Sequence, residues 1–512
     1  MLTRLLGLLA GAPGVLAFAP FALPLVNVAV LALLFLMWSG SDTPRRAAGI
    51  GFAFGLGLFG AGASWVYIAL ETFGGMPAPV AVIATAGFVA LLALYPALAG
   101  WLAVRVAPAG GFERLAASVG AYVLCEWLRG WVFTGFPWLS MGYAEILAGG
   151  PLPLAGYAPV GGVFLVSLAV SVCAACVTGI MLAVANAQPR RVVGCLGIAA
   201  LTTLVGAALL RIEWTHAVGQ PVAVSLLQGN VSQADKFDPA FRPRNYELYE
   251  TLVRTSKGRI VVMPESAYPQ FADEIPGAVF LRHAAAARAR DGIILVGLFI
   301  AEPPGEKGEG ERIYNSVVTM SDAPPQLYRK RHLVPYGESI PLKPIAGWFI
   351  NKVLAIPLAD QTPGPPDQAP FDAAGQRLAV NICYEDAFGA ELIPSARNAT
   401  LLVNVTNDAW YGRSIAARQH NQIAAMRALE TGRPMLRATN TGITSAIAHD
   451  GQTLATLPWF VSGILEIEIA GRTGLTPYLV LADWPAVALS LLLVAVPAAF
   501  ARRRARFSRE NP

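Results

Sequence analysis

Leu378-Ala379-Val380-Asn381-Ile382 is a short, almost wholly apolar run that stops abruptly at Cys383-Tyr384-Glu385-Asp386. An apolar run of four to eight residues with polar residues beyond it reads as a strand buried on both faces. Four more runs, at 222–227, 260–263, 293–297 and 401–405, have the same form, and stretches such as 277–290 and 415–431 between them have helical composition. Strand and helix thus alternate from about Pro221 to Arg472, which predicts a layered α/β domain. Such folds commonly place their active sites at strand ends. Two side chains stand there after apolar run-ups: Glu265, following 260–263 and Pro264, and Cys383.

Outward from this domain the chemistry changes. Residues 1–211 hold nine Arg, no Lys and five acidic residues, 14 of the 71 charges (38 + 33) in the 512-residue chain. The whole chain is 55% hydrophobic and only 14% charged, against roughly 25% charged in an average soluble domain. The first two-fifths therefore lack the polar surface that a water-soluble domain needs, and disorder is excluded for both parts. Apolar runs of bilayer-crossing length are expected at 5–21, 23–38, 49–70, 79–104, 115–133, 159–185, 192–211 and 478–500, about eight spans. Pro13, Pro20 and Pro24 interrupt the first two, which leaves a re-entrant hairpin open there.

With Arg4 in the cytoplasm, the loops that should be positive carry Arg45 and Arg46, Arg105 and Arg114, and Arg190 and Arg191, while 71–77 and 134–156 carry no Lys or Arg. A membrane domain at 1–212 would then deliver a catalytic domain at 221–472 to the non-cytoplasmic side, and the span at 478–500 would return the chain to a cytoplasmic tail at 501–512. Much of the net charge of +5 lies in that tail, in Arg502-Arg503-Arg504-Ala505-Arg506, and reads as a membrane-flanking anchor rather than a nucleic-acid surface. Residues 1–21 lack a signal-peptidase-like site and are read as retained. Glu126 and Arg129 pair at i, i+3 ahead of Gly135-Phe136-Pro137-Trp138-Leu139. The pair reads either as helix stabilisation beside an aromatic belt, with Trp138 touching lipid, or as a lipid-facing doorway.

Several chemistries are absent from the chain: there is no GxxxxGK[ST], GxSxG or HExxH, and the five His never reach metal-ligand spacing, so neither metal nor cofactor is expected. Four of the five cysteines lie in apolar segments, which leaves Cys383 alone in the polar domain. A thiol with an ordinary pKa near 8.5 needs a neighbouring base or cation to attack at neutral pH. Glu265 is a candidate base, and Lys330, in a run where charges alternate with turn residues, is a candidate cation for a thiolate and an oxyanion.

Met263-Pro264-Glu265-Ser266, Lys330-Arg331-His332-Leu333-Val334-Pro335-Tyr336-Gly337-Glu338 and Cys383-Tyr384-Glu385-Asp386 resemble the Glu, Lys and Cys motifs of the nitrilase superfamily. With the multi-span half before them and one span after, they look like its membrane-embedded branch, the apolipoprotein N-acyltransferases. The resemblance implies an αββα sandwich in the periplasm on an inner-membrane domain. It implies that Cys383 takes an acyl chain from a phospholipid, typically phosphatidylethanolamine, as a thioester, and passes it to the N-terminal amine of a diacylated apolipoprotein. By position, Glu265 is the base, Lys330 the oxyanion stabiliser, Cys383 the nucleophile and Glu338 an assisting group. Tyr384 and Glu385 shape the pocket, and Asn315 sits in a further motif. Where the family often has Trp, after its Q-G-N motif, this chain has Phe237, which keeps an aromatic ring but loses an N–H donor.

Trp348, Phe349, Ile350 and Leu354 are apolar enough to form a lid over acyl chains that excludes water, or simply to pack as a helix. A monomer is expected, with no nucleic-acid partner. A membrane-anchored amidase would use the same three residues but leaves the spans unexplained. A transporter would show more intramembrane polar residues.

Overall fold

The computed structural model describes residues 2–108, 111–303, 311–339 and 360–510. They form two compact units, one of Met1–Trp65, Val82–Glu213 and Thr476–Pro512, the other of Val66–Ala81 and Trp214–Leu475. The expected lid residues Trp348, Phe349, Ile350 and Leu354 lie outside the described residues.

The first unit is helical. Among the described residues, Ala78–Val106, Pro153–Ala185, Pro189–Leu209 and Trp484–Ala501 are long and apolar enough to cross a bilayer, and the bent pair Pro44–Gly62 and Val66–Phe73 makes at most a fifth. The other three expected spans fall on helices that are short (Leu2–Ala17, Leu25–Ser39) or carry four charged residues (Phe112–Arg129). The expected span at 49–70 bends by 59°. At the break the Trp65 indole donates 3.0 Å to the Gly62 carbonyl, which satisfies a helix-end acceptor where the helix stops. Close helix packing relies on missing side chains: a Cβ on Gly11 would lie 2.0 Å from the Phe54 carbonyl oxygen, and one on Gly51 2.2 Å from that of Pro96.

Glu126 and Arg129 are both buried, 4.0 Å apart. Glu126 accepts from the Met141 amide at 2.8 Å, and Arg129 donates to the carbonyls of Phe136 and Trp138 and to Ser140 Oγ. The pair therefore ties down the turn that follows its helix. Trp138, expected to touch lipid, is 0% exposed. Arg129 holds its carbonyl, and its ring lies within 6.0 Å of Phe136, stacked, and 5.2 Å of Trp65. A two-residue ladder, β1 (Ile146–Leu147) with β2 (Gly150–Pro151), follows.

The second unit holds two six-stranded sheets among the described residues. The first contains β3 (Thr215–Gln228), β4 (Ile260–Val262), β5 (Ile293–Glu302), β6 (Arg312–Met320), β7 (Leu327–Arg329) and β14 (Gly463–Gly474), in the order 14-3-4-5-6-7. The second contains β8 (Phe371–Ala373), β9 (Gln376–Ile382), β10 (Leu401–Thr406), β11 (Met435–Thr439), β12 (Ser445–Ile447) and β13 (Thr453–Thr456), in the order 13-12-11-10-9-8. Each sheet has three parallel strands, β3-β4-β5 and β9-β10-β11, joined by crossovers through helices Arg242–Thr255, Gly277–Arg288, Gly389–Ala396 and Ala416–Thr431. The apolar runs predict five of these six strands and miss β11, whose run is broken by Arg437; β11 packs against β3 between the sheets. Leu227, Val261, Ile294 and Val296 form one core with Tyr249 and Val279 from the covering helices. Parallel strands need such crossovers, so the two βαβαβ halves present six strand ends, and polar residues collect after five of them, β3, β4, β9, β10 and β11.

At the start of β5, Gly292 lies against the neighbouring backbone: a Cβ there would come 2.0 Å from the Arg259 carbonyl oxygen, which accepts from Ile293 N at 2.7 Å. Gly292→Ala should therefore cost about 1–3 kcal/mol and lower the thermal midpoint of the detergent-solubilised protein by several degrees. Gly277→Ala, where the added atom meets nothing within 4 Å, serves as the control and should leave the midpoint in place.

Candidate active site

Glu265 follows β4 in a loop that lies directly on β5, because Gly297 has no side chain: a Cβ there would sit 2.4 Å from the Pro264 carbonyl oxygen. Lys330 follows β7, Asn315 lies on β6, and Glu338 lies in the turn after Lys330. The Lys330 ammonium contacts Glu265 Oε1 at 3.2 Å and Glu338 Oε1 at 2.7 Å. Asn315 Nδ2 donates to Glu265 Oε1 at 2.8 Å, and the Asn407 amide, just past β10, donates to Glu265 Oε2 at 3.0 Å. Burial pushes the Lys330 pKa down, but the two carboxylates outweigh it and the net direction is upward, so Lys330 is a fixed cation.

Cys383 ends β9 with φ at +55°, a left-handed conformation that costs a non-glycine residue roughly 1–3 kcal/mol and requires its surroundings to enforce it. Asn404 Nδ2 donates to its carbonyl at 3.0 Å, with His420 Nε2 3.3 Å from the same oxygen. Beneath it, Glu385 Oε2 accepts from Ile382 N at 2.6 Å and from the Tyr328 hydroxyl at 3.0 Å, while Oε1 accepts from the amides of Arg331 and His332. Glu385 thereby fastens the end of the Cys strand to the end of the Lys strand. The thiol is buried and feels Glu265, Lys330 and Asp408. Burial, then the Glu265 charge, raise its pKa well above the ordinary thiol value, and Lys330 only partly offsets them. At neutral pH the group beside Glu265 is a neutral thiol, and attack on a carbonyl needs a base to take its proton.

The structure thus gathers Glu265, Lys330, Glu338 and Asn315 into one hydrogen-bonded cluster with Cys383 in its field and Glu385 behind it. Tyr384 packs edge-on to Phe388 at 4.9 Å and lies 5.9 Å from His332. Phe237 is half-buried at the end of the short helix Gln233–Lys236, and the buried residue of that turn is its neighbour, Lys236. Sequence reading missed Lys236, whose ammonium donates to the Glu265 carbonyl at 3.0 Å, and Asn404 and Asn407, whose polar side chains in and after an apolar strand were the available signal. It also missed a fully buried ring behind Cys383. There His420 lies 2.8 Å from Asp386 and 2.7 Å from Asp408, and Arg437 reaches both aspartates at 3.4 Å.

Burial and Arg437 lower the pKa of His420, but Asp386 and Asp408 outweigh them and raise it to about 9, above the 6.5 of a free imidazole. A raised folded-state pKa contributes stability in full below the unfolded value and loses it as pH climbs through the folded one. The gap in thermal midpoint between wild type and His420→Gln should accordingly be widest below pH 6.5 and close as pH rises through 9. A gap independent of pH would mean that the imidazole is held neutral.

Two family profiles match the chain: the apolipoprotein N-acyltransferase N-terminal domain over residues 10–176 and the carbon-nitrogen hydrolase over residues 243–478. Among curated relatives, the apolipoprotein N-acyltransferase of Nitrosomonas europaea is 45% identical over 504 residues, covering 96% of this chain and 97% of that protein. Those of Methylococcus capsulatus and Chromobacterium violaceum are 42% and 41% identical, covering 98% and 97% of this chain and 97% and 93% of their own. Two domain types in the same order and identity of this level from end to end have one explanation: the chain belongs to the apolipoprotein N-acyltransferase family.

Proposed function

We propose that this protein transfers an acyl chain from a membrane phospholipid to the N-terminal amine of a diacylated apolipoprotein, through a thioester on Cys383. The observation that carries the reading is the buried Glu265–Lys330–Glu338 cluster in the electrostatic field of a strained, neutral Cys383 thiol, in a chain of this family. Glu265 takes the thiol proton as sulfur attacks the ester carbonyl, and returns it to the departing lysophospholipid oxygen. In the second half, the acceptor amine attacks the thioester, its proton passes to Glu265, and the sulfur leaves and recovers it. Splitting the transfer this way makes one difficult exchange between two lipids into two simpler ones. Lys330, held by both carboxylates, stabilises the oxyanion and fixes the geometry of the base, and Glu338 holds Lys330 while also accepting from the Val334 amide at 2.9 Å.

The finer reading is part of the proposal. Eight spans, with the three short or charged helices counted among them, put the loops bearing Arg45 and Arg46, Arg105 and Arg114, and Arg190 and Arg191 in the cytoplasm. The catalytic domain at 221–472 then faces the periplasm of a bacterial inner membrane, and the Arg-rich tail at 501–512 ends inside. Phosphatidylethanolamine is the donor on this reading, and the protein acts as a monomer. Trp348, Phe349, Ile350 and Leu354 are proposed to close over the acyl chains.

Purified protein incubated in detergent with phosphatidylethanolamine should gain one fatty-acyl mass, lose it to hydroxylamine, and gain none as Cys383→Ala. Absence of an adduct on the wild type, with the lipid unconsumed, would remove the nucleophile assignment. Glu338→Gln leaves Lys330 with one carboxylate in place of two. Adduct formation should slow by about ten- to a hundred-fold with no change in adduct mass, as expected when a catalytic group loses its orientation.

A further inference from the structure

The site contains two buried lysines whose circumstances differ. Lys330 spends two of its three donors on carboxylates. Lys236 is 6% exposed and donates to one neutral acceptor, the main-chain oxygen of Glu265 at 3.0 Å, and among the described residues no carboxylate comes within 4.0 Å of it. An ammonium kept in the interior with no carboxylate in contact is costly, and such a group in a site is a candidate for function. The loop that presents it is tied to the catalytic loops. Asn440 exchanges hydrogen bonds with the main chain of Val231 and donates to Asn407 Oδ1, and Asn407 Nδ2 donates to Gln233 Oε1 at 2.9 Å. Asn407 is the residue whose amide holds Glu265. The lysine and the base are therefore positioned from the same anchor.

We propose that Lys236 is a second catalytic cation of this site, holding the oxyanion that forms on the acyl carbonyl when the Cys383 sulfur attacks it. The inference rests on the thioester reading above. In the step, the S–C bond forms, the thiol proton moves to Glu265, and the carbonyl π pair becomes the oxyanion opposite Lys236. Collapse reforms the C=O bond and breaks the ester C–O bond, and the leaving oxygen takes the proton from Glu265. Charge bookkeeping favours the assignment. Glu265 and Glu338 against Lys330 leave the front of the site at −1, a setting that opposes a new anion, and Lys236 brings it to zero. Lys330 has one donor left beyond its two carboxylates, whereas Lys236 has two beyond the Glu265 carbonyl.

The test separates charge from scaffold. Lys236→Gln keeps a neutral N–H donor for the Glu265 carbonyl, and Lys236→Arg keeps the charge. Full-length protein in detergent is assayed for the rate of acyl adduct formation from phosphatidylethanolamine, and for the pH profile of Cys383 alkylation by iodoacetamide, read at the peptide level because Cys125, Cys173, Cys176 and Cys195 are also free. The thiol is faced by Glu265, Lys330, Asp408 and Tyr411, and Lys236 by Glu265 and Cys383; each variant changes Lys236 alone. Lys236→Gln should form adduct about a hundred-fold more slowly, with its alkylation profile moved to higher pH and its thermal midpoint kept. Burial lowers the pKa of Lys236, against the pull of Glu265 and Cys383, to about 8, so Lys236→Arg should hold its adduct rate to higher pH than wild type. That variant tests the idea even if Lys236→Gln fails to fold. Wild-type rates and an unmoved alkylation profile in Lys236→Gln would overturn it and reduce Lys236 to a loop pin. A wild type that forms no adduct would instead overturn the thioester reading, and the alkylation profiles would still decide whether Lys236 acts on the sulfur.

Discussion

A carboxylate taken out of water must be met by donors on every side, and Glu265 is the point at which this domain meets that demand. Its two oxygens accept from Asn315 on β6, Lys330 after β7 and the main chain of Asn407 after β10. The last of these belongs to the other sheet, so one side chain sets the spacing of the loops from both halves of the sandwich. Removing any donor leaves part of a charge buried and unpaired, which costs far more than an ordinary hydrogen bond. The geometry around Glu265 is in this sense enforced by solvation, and the two sheets supply the elements that can reach it.

Cys383 depends on a second, separate arrangement. Its backbone conformation is unfavourable for any residue with a Cβ, and the groups that hold it lie behind the site. The ring of Asp386, Asp408, His420 and Arg437 carries two positive and two negative charges when the imidazole is protonated, and is closed to solvent. It is neutral as a unit when the imidazole is protonated, although one of its members, Asp408, adds to the upward shift of the Cys383 thiol. The front cluster places two carboxylates against Lys330, while the back ring, Asn404 and Glu385 keep the strand end from relaxing.

The parts of this arrangement that the sequence discloses are those that obey local rules. Each of the parallel strands β3, β4, β5, β9 and β10 is an apolar run because it is buried on both faces, and Glu265 and Cys383 declare themselves by interrupting such runs. Arg437 does not. Within Met435-Leu436-Arg437-Ala438-Thr439 it reads as an exposed edge residue, and its partners are 51 and 29 residues away. Lys236, in a polar four-residue helix, reads as solvated until the fold closes over it. In the membrane unit hydropathy marks apolar length but carries no information on bends. At the break after Gly62 an indole N–H meets the helix-end carbonyl, and the carbonyl of the buried Trp138 accepts from an arginine nine residues earlier.

Burial has two consequences for the thiol that work in the same direction. In the resting site, desolvation and the Glu265 charge keep sulfur protonated, so it is a poor target for oxidants and stray electrophiles, which react with thiolates. Once a carbonyl occupies the site, the same exclusion of water strengthens every interaction with the charge that then develops. A permanently ionised cysteine would forfeit the first property, and a solvent-exposed one the second. In the proposed reaction, a neutral thiol in the field of a hydrogen-bonded carboxylate and a fixed cation ionises only as a carbonyl accepts its electrons. On the proposed thioester route, where water would destroy the intermediate, that coupling of ionisation to occupancy matters more than the intrinsic reactivity of the sulfur.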